Sequence, residues 1–573
     1  MTLRGALWRL RTAAFKRRIS LQDRFGWYAY PDWIRDFEKP PPEISIEKHA
    51  VPGDAAEPRF SLVLCAGEGT DRALERTLGS ISVQTCPAWE VLVLPPMAPP
   101  DRADPRVRRL HPVEGRPPIA LALEAARGDF LLSLEVGDTL APEALSSVFA
   151  LLDRSPEAEG IYTDEDHLAA DGRREAPFFK PDWSPVLLLS VPYLDRAYFS
   201  RRLLLEAAAM LPEDELDWED LVFACAGRAR QILHIPEVLV HTHASPTRSA
   251  PADRCRLIEA YLQRAGISEP SVEVVEGGVV RAAWPVKGEG VSVIVPTQDR
   301  VEYLRRCVES IHKLTAYPAY EIILVDSGSV EPETLEYYAS LQGIPNVRIV
   351  SLEGEFNFSR ALNLGVRESN GSVLLFLNND TEAVEDGWLE ELVRWAERPE
   401  IGAVGGQLLF PDGSIQHAGI VIGMEGHATH IFGGSRPDVG GPFGPVTWYR
   451  NYSAVTGACM AMRREVFDEI SGFDEGYRLV FSDIEICLRV IRAGYRVVYT
   501  PFARLIHHEG KTRQRYIPPE DIVRAYEHLK DWVAAGDPYF NPNLSTAVRT
   551  PTFRRPGEQA AIERLRDIVE YSI

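Results

Sequence analysis

Short, uninterrupted apolar runs recur along the chain and alternate with longer stretches of helical periodicity. SLVLC (61–65), WEVLVL (89–94), GDFLLSLEVGD (128–138), SVIVPTQDR (292–300), EIILVDSG (321–328), GSVLLFLNND (371–380) and YRVVYTP (495–501) carry the runs. A continuous apolar run bounded by polar residues fits a strand buried on both faces, and Val373 to Leu377 is expected to be such a parallel strand. Between the runs, 71–85 and 142–153 read as helices. So does the stretch after Phe481, where Asp483, Glu485 and Arg489 are polar while Ile484, Ile486, Leu488, Val490 and Ile491 are apolar. A terminal amphipathic helix is expected over 558–571. Alternating strands and helices predict an α/β fold with a mainly parallel, Rossmann-like sheet.

The pattern also repeats. VSVIVPTQDR echoes SLVLCAGEG, ESIHKLTAYPAYEIILVDSG echoes GSISVQTCPAWEVLVLPP, and NGSVLLFLNND echoes RGDFLLSLEVG. The unit is a whole domain rather than a solenoid repeat. At 573 residues the chain exceeds one core. It divides into an N-terminal segment and linker (1–55), a first α/β domain (56–285), a second (286–545) and a helical tail (546–573). Aligning the copies sets Asp326 against Pro95 and Asp380 against Gly137, with Asp138 alongside if the register slips by one. On that alignment the first copy is degenerate.

Charge narrows the partners. The formal net charge is −21, which disfavours nonspecific binding to nucleic acid. Seven single cysteines without a CxxC pair point to reduced thiols and a cytoplasmic setting. No apolar run is long enough to span a bilayer, so a soluble or peripheral protein is expected. The first twenty residues depart from the acidic average: Arg4, Arg9, Arg11, Lys16, Arg17 and Arg18 accompany Leu3, Leu7, Leu10 and Ala14 at helical spacing. Such a helix either lies on an anionic membrane surface, such as the inner face of the plasma membrane, or packs on a neighbouring domain. Trp27, Tyr28, Tyr30 and Trp33 read as packing, and 39–42 (KPPP) as a linker.

The candidate chemistry lies at strand ends. Asn378, Asn379 and Asp380 follow a buried strand, at the edge where open α/β sheets bind ligands. A carboxylate there suits Mg²⁺ or Mn²⁺ carrying a diphosphate, since these ions need few protein oxygens. Asp483 stands near a helix start, where the helix dipole favours its ionised form. The glycine-rich segment 430–445 reads as a loop bordering the site. His417, Trp448 and Tyr449 read as packing or acceptor contacts.

In this order, SVIVPTQDR, VDSGS, FNFSRALNLG, LLFLNND, QHAG, SAVTGAC, FSDIEICLR and IHHEGKT resemble glycosyltransferase family 2, the inverting enzymes of GT-A fold. The likeness is nearest to two-domain, rhamnosyltransferase-like enzymes of bacterial O-antigen and surface-polysaccharide synthesis. ARGDFLLSLEVGDTLAPEAL, IYTDED and PFFKPDWSP extend it to the first copy. The resemblance implies a nucleotide-diphosphate sugar donor, a glycan or lipid-linked glycan acceptor, and transfer of rhamnose or another hexose. It implies that Pro296, Thr297, Asp299 and Asp326 hold the nucleoside, with Asn378 and Asn379 beside the donor. It implies Asp380 and His507 as metal ligands, His508 ranking second, and Asp483 as general base. Asn378 stands where the family's motif has its first Asp, and Ser482 where many members have Glu. Two other functions share parts of this pattern. A sugar-nucleotide nucleotidyltransferase would need a glycine-rich basic loop where SVIVPTQDR stands, and a non-catalytic glycan-binding scaffold would not need Asp326, Asp380 and Asp483 together.

Overall fold

The computed structural model describes all residues except 1–2, 25, 39–57, 66–70, 96–103, 213–215, 244–250, 509–516 and 573. The linker expected at 39–42 lies outside the described residues. The chain forms two compact units, one of Tyr28–Ala282 and one of Met1–Trp27 with Ala283–Ile573. The terminal segments expected at 1–55 and 546–573 are therefore not separate. The helix Leu3–Arg24 groups with the second unit, where Ile19 is buried, Lys16 pairs with Glu425 and Asp23 pairs with Arg555. The closing helix Ala561–Ser572 packs in the same unit, beside Gly423 and Gly426. The helix Tyr30–Phe37 belongs to the first unit, where Tyr30 and Trp33 pack on Phe179.

In the second unit the sheet runs Val347–Ser351, Tyr320–Asp326, Val291–Thr297, Val373–Leu377, Cys459–Arg463, Ile401–Leu409, Arg496–His507, Thr381–Ala383. The first four strands are parallel and lie in the order third, second, first, fourth, which sets their carboxyl ends along one edge. Val373–Leu377 is wholly buried, as its composition predicts. It is parallel to Val291–Thr297 but antiparallel to Cys459–Arg463, so the sheet is mixed. The apolar run reports burial on both faces, and burial carries no information about a neighbour's direction.

The first unit repeats this plan position for position: Val107–Arg109, Trp89–Val93, Phe60–Cys65, Phe130–Glu135, Tyr198–Ser200, Gly160–Leu168, Ile232–Thr242, Thr139–Leu140. The likeness reaches single hydrogen bonds. Ser61 Oγ donates to Glu90 Oε1 at 2.7 Å and accepts from Gly128 N at 2.9 Å, while Arg108 reaches Glu90 Oε2 at 2.7 Å. In the second unit Ser292 Oγ donates to Glu321 Oε1 at 2.7 Å and accepts from Gly371 N at 2.8 Å, and Arg348 reaches Glu321 Oε2 at 3.1 Å. Both glycines are there for space: a Cβ on Gly128 or Gly371 would lie 2.6 Å from the backbone nitrogen of Ser61 or Ser292.

Behind the second sheet's edge, strand Ile415–His417 buries His417 completely, and its Nδ1 lies 2.9 Å from His430 Nδ1. Its Nε2 accepts from Gly419 N at 3.3 Å, so His417 is held neutral, with its proton on Nδ1 facing His430. Burial, with His430 and His507 nearby, pushes its pKa well below the ordinary value of 6.5.

Two outcomes are expected. Gly371→Ala and Gly128→Ala should each destabilise their own unit by about 1–3 kcal/mol through overpacking, measured by denaturant unfolding. For His417 the unfolded chain takes up a proton below pH 6.5 and the native chain does not. Second-unit stability should thus fall as pH drops below that value, by about 1.4 kcal/mol per pH unit for this one group, and His417→Gln should flatten the slope.

Candidate active site

The parallel strands deliver three side chains to one edge. Thr297 ends the first strand opposite Asp326, and its Oγ1 accepts from Asn379 Nδ2 at 3.1 Å. Asp326 is fixed by its own turn and by the next helix. Its Oδ1 accepts from Ser329 Oγ at 2.5 Å, Ser329 N at 3.1 Å and Tyr338 OH at 3.0 Å. A carboxylate so held stays oriented without a ligand. Pro296 is buried within its strand. Asp299, at φ +52°, faces elsewhere: Oδ1 accepts from Val330 N and Glu331 N, both at 2.8 Å. It braces two strand-end loops against each other, and its N–H donates to Ser329 Oγ at 2.8 Å, the hydroxyl that also binds Asp326.

Asp380 follows the fourth strand and is buried. The next three residues, Thr381–Ala383, pair antiparallel with the end of the strand Arg496–His507, Thr381 opposite His507. That pairing carries a histidine across 127 positions of sequence to within 3.1 Å of the carboxylate, His507 Nε2 to Asp380 Oδ1. Successive residues of a strand face opposite ways. His508 accordingly gives Asp380 its backbone N–H, to the main-chain oxygen at 2.9 Å, and turns its ring to Glu382 at 3.3 Å. The structure thus separates the two adjacent histidines.

The pair fits a divalent cation. Neighbouring ligands of an octahedral ion with bonds of 2.0–2.1 Å stand about 3.0 Å apart, and Asp380 Oδ1 and His507 Nε2 stand at 3.1 Å. The other nitrogen of His507 is buried without a hydrogen-bond partner. The side-chain amide of Asn378 also lies beside this pair, 3.5 Å from His507 Nε2. Among the described residues no cluster of three or more His, Cys, Asp or Glu could hold a metal. Two protein ligands leave the remaining positions to phosphate and water, as Mg²⁺ usually requires.

Asp483 is the second residue of the helix Ser482–Arg492, which starts abruptly from Phe481 at φ +70°. Its Oδ2 accepts from Gly457 N at 3.1 Å and its Oδ1 from Ile484 N at 3.0 Å. The next residue after Gly457, Ala458, accepts from Asn378 N at 3.1 Å. One short stretch therefore ties the helix carboxylate to the end of the strand that bears Asp380. A Cβ on Gly457 would lie 3.3 Å from Asp483 Cβ, a tight contact that would push on the carboxylate's own side chain. Gly457, Ser329 and Tyr338 position functional carboxylates and were not singled out from the sequence. Gly457 and Ser329 do lie inside SAVTGAC and VDSGS, but Tyr338 sits mid-helix with no local signal.

Comparison with known proteins agrees with this geometry. Residues 292–471 match the family model Glycosyl transferase family 2. The O-antigen biosynthesis protein RfbC of Myxococcus xanthus is 38% identical over 94% of this chain, which spans only 44% of that protein's length. The N-acetylglucosaminyl-diphospho-decaprenol L-rhamnosyltransferase of Mycobacterium tuberculosis is 26% identical over 39% of this chain and 77% of its own. The O-antigen chain rhamnosyltransferase RfbN of Salmonella typhimurium is 26% identical over 41% of this chain and 70% of its own. With its sheet order, its strand-end carboxylates and this match, the segment 292–471 is a family 2 glycosyltransferase domain.

Proposed function

We propose that the chain is an inverting glycosyltransferase that moves rhamnose or another hexose from a nucleotide-diphosphate sugar to a growing or lipid-linked surface polysaccharide. The observation that carries the reading is the convergence, on one sheet edge, of a nucleoside-side carboxylate (Asp326), an Asp–His pair at cation spacing (Asp380, His507) and a helix-borne carboxylate (Asp483). The relatives named above, two of them rhamnosyltransferases, support the sugar class and the setting in polysaccharide synthesis.

The chemistry is a single displacement. The acceptor hydroxyl oxygen bonds to the anomeric carbon, the bond from that carbon to the diphosphate oxygen breaks, and the hydroxyl proton passes to Asp483. Gly457 N and Ile484 N hold the Asp483 carboxylate in place for that transfer. Asp326, kept rigid by Ser329 and Tyr338, binds the nucleoside, and Thr297 with Asn379 lines the wall beside it. Asp380 and His507 would hold Mg²⁺ or Mn²⁺, which when bound offsets charge on the leaving diphosphate.

At the N-terminus, Lys16 is engaged by Glu425, while Arg17 and Arg18 are exposed. No described helix is long and apolar enough to cross a membrane. An outward basic face on an acidic protein supports peripheral contact with an anionic lipid surface, where a lipid-linked acceptor would be found.

The test is a donor screen. UDP-, GDP- and dTDP-sugars with Mg²⁺ or Mn²⁺ should give nucleoside diphosphate release from one donor. Asp380→Ala should lose metal-dependent release. Asp483→Asn should retain donor binding by calorimetry and lose about 10²–10⁴-fold in turnover. Formation of sugar nucleotide and pyrophosphate would instead establish a nucleotidyltransferase, and absence of both release and binding would leave a scaffold.

A further inference from the structure

The first unit holds the counterpart of the Asp380–His507 pair, in altered form. Its short strand Thr139–Leu140 pairs antiparallel with Ile232–Thr242, Thr139 opposite His241, just as Thr381 stands opposite His507. The residue before that short strand is Asp138, fully buried. Asp138, not Gly137, therefore occupies the place of Asp380, and the carboxylate expected to be lost is present. The strand before it is one residue longer than its counterpart, Phe130–Glu135 against Val373–Leu377, and the connection that follows turns at Gly137, φ +111°, a conformation that favours glycine.

What differs is the surroundings. Arg196, itself buried, donates from Nε to Asp138 Oδ2 at 2.7 Å and lies 3.6 Å from Glu135. Asp195 and Glu165 also contribute to its electrostatic surroundings. Asp138 Oδ1 is taken by His243 N at 2.9 Å, and His241 is turned to Asp166, Nδ1 to Oδ1 at 2.6 Å. Asp138 and Glu135 thus meet on a guanidinium, Glu165 pairs with the buried Lys180 at 2.9 Å, and the histidine that would complete a metal pair is engaged elsewhere. Buried carboxylates need a compensating cation, and a planar guanidinium with five donors can serve several at once.

We infer that Arg196 is a tethered cation standing in the first unit where the second unit takes a divalent ion, so that the first unit binds no metal. The inference rests on the reading of Asp380 and His507 as metal holders and is tested separately from it. The full chain is dialysed against Mn²⁺, and bound metal is counted by electron paramagnetic resonance. The expected count is one per chain, falling to none in Asp380→Ala. A count of two, or one remaining in Asp380→Ala, overturns the inference. Arg196→Met leaves Asp138 and Glu135 without their cation and should lower the melting temperature of the first unit. Added Mn²⁺ should restore it and raise the count by one, independently of Asp380, whereas Arg196→Lys should show no gain. An Arg196→Met chain that neither binds extra Mn²⁺ nor is stabilised by it, folded or not, overturns the inference. A wild-type count of zero would sink the reading of Asp380 and leave Arg196→Met to decide alone.

Discussion

The candidate site depends on a three-residue strand. Thr381–Ala383 must find partners for its backbone groups, and it finds them at the far end of Arg496–His507. Because that pairing is in register with Thr381 opposite His507, Asp380 and the histidine meet at 3.1 Å, and strand alternation turns His508 away. A one-residue shift in the pairing would exchange the two rings. The neighbouring ladder does the same for the base: Asn378 N on Ala458 O fixes Gly457, and Gly457 N fixes Asp483. The carboxylates are thus placed by backbone hydrogen bonds, which tolerate little error, rather than by long side chains reaching across a cavity.

The two units show one scaffold meeting the same electrostatic demand in two ways. Both place an aspartate at the start of the same edge strand, in an environment where an uncompensated charge is costly. In the second unit the partner is a neighbouring histidine, His507 Nε2 at 3.1 Å from Asp380 Oδ1. In the first unit Arg196 fills the position permanently, held by Asp138 with Glu135 beside it. Pro95 stands against Asp326 in the alignment of the copies, and a proline offers neither a carboxylate nor an N–H.

These contrasts mark what the sequence could and could not reveal. The buried strands, the helix bearing Asp483 and the repeat were legible because apolar runs and periodicity report burial directly. The family motifs, read in order, located the segment that the family model also matches. The antiparallel neighbour of Val373–Leu377 was not legible, because an apolar run does not encode direction. Asp138 was misaligned because the strand before it is one residue longer than its counterpart, which shifts a linear alignment while leaving the strand pairing intact. Asp299 matched a motif position, yet its carboxylate is spent on Val330 N and Glu331 N, a contact visible only once two loops meet. Tyr338 and Arg196 act through space on residues 12 and 58 positions away, distances at which local pattern is silent.

The N-terminal helix carries this point furthest. Over its whole length Leu3–Arg24 carries no single apolar stripe, so the amphipathic face expected from the spacing of its leucines is not there. Its described charges divide between protein and solvent: Lys16 shares Glu425 with Arg549, Asp23 meets Arg555 and Thr552, and Arg17 and Arg18 stay in solvent. The helix is therefore part of the unit that bears Asp380 and Asp483, although the whole first unit lies between them in sequence.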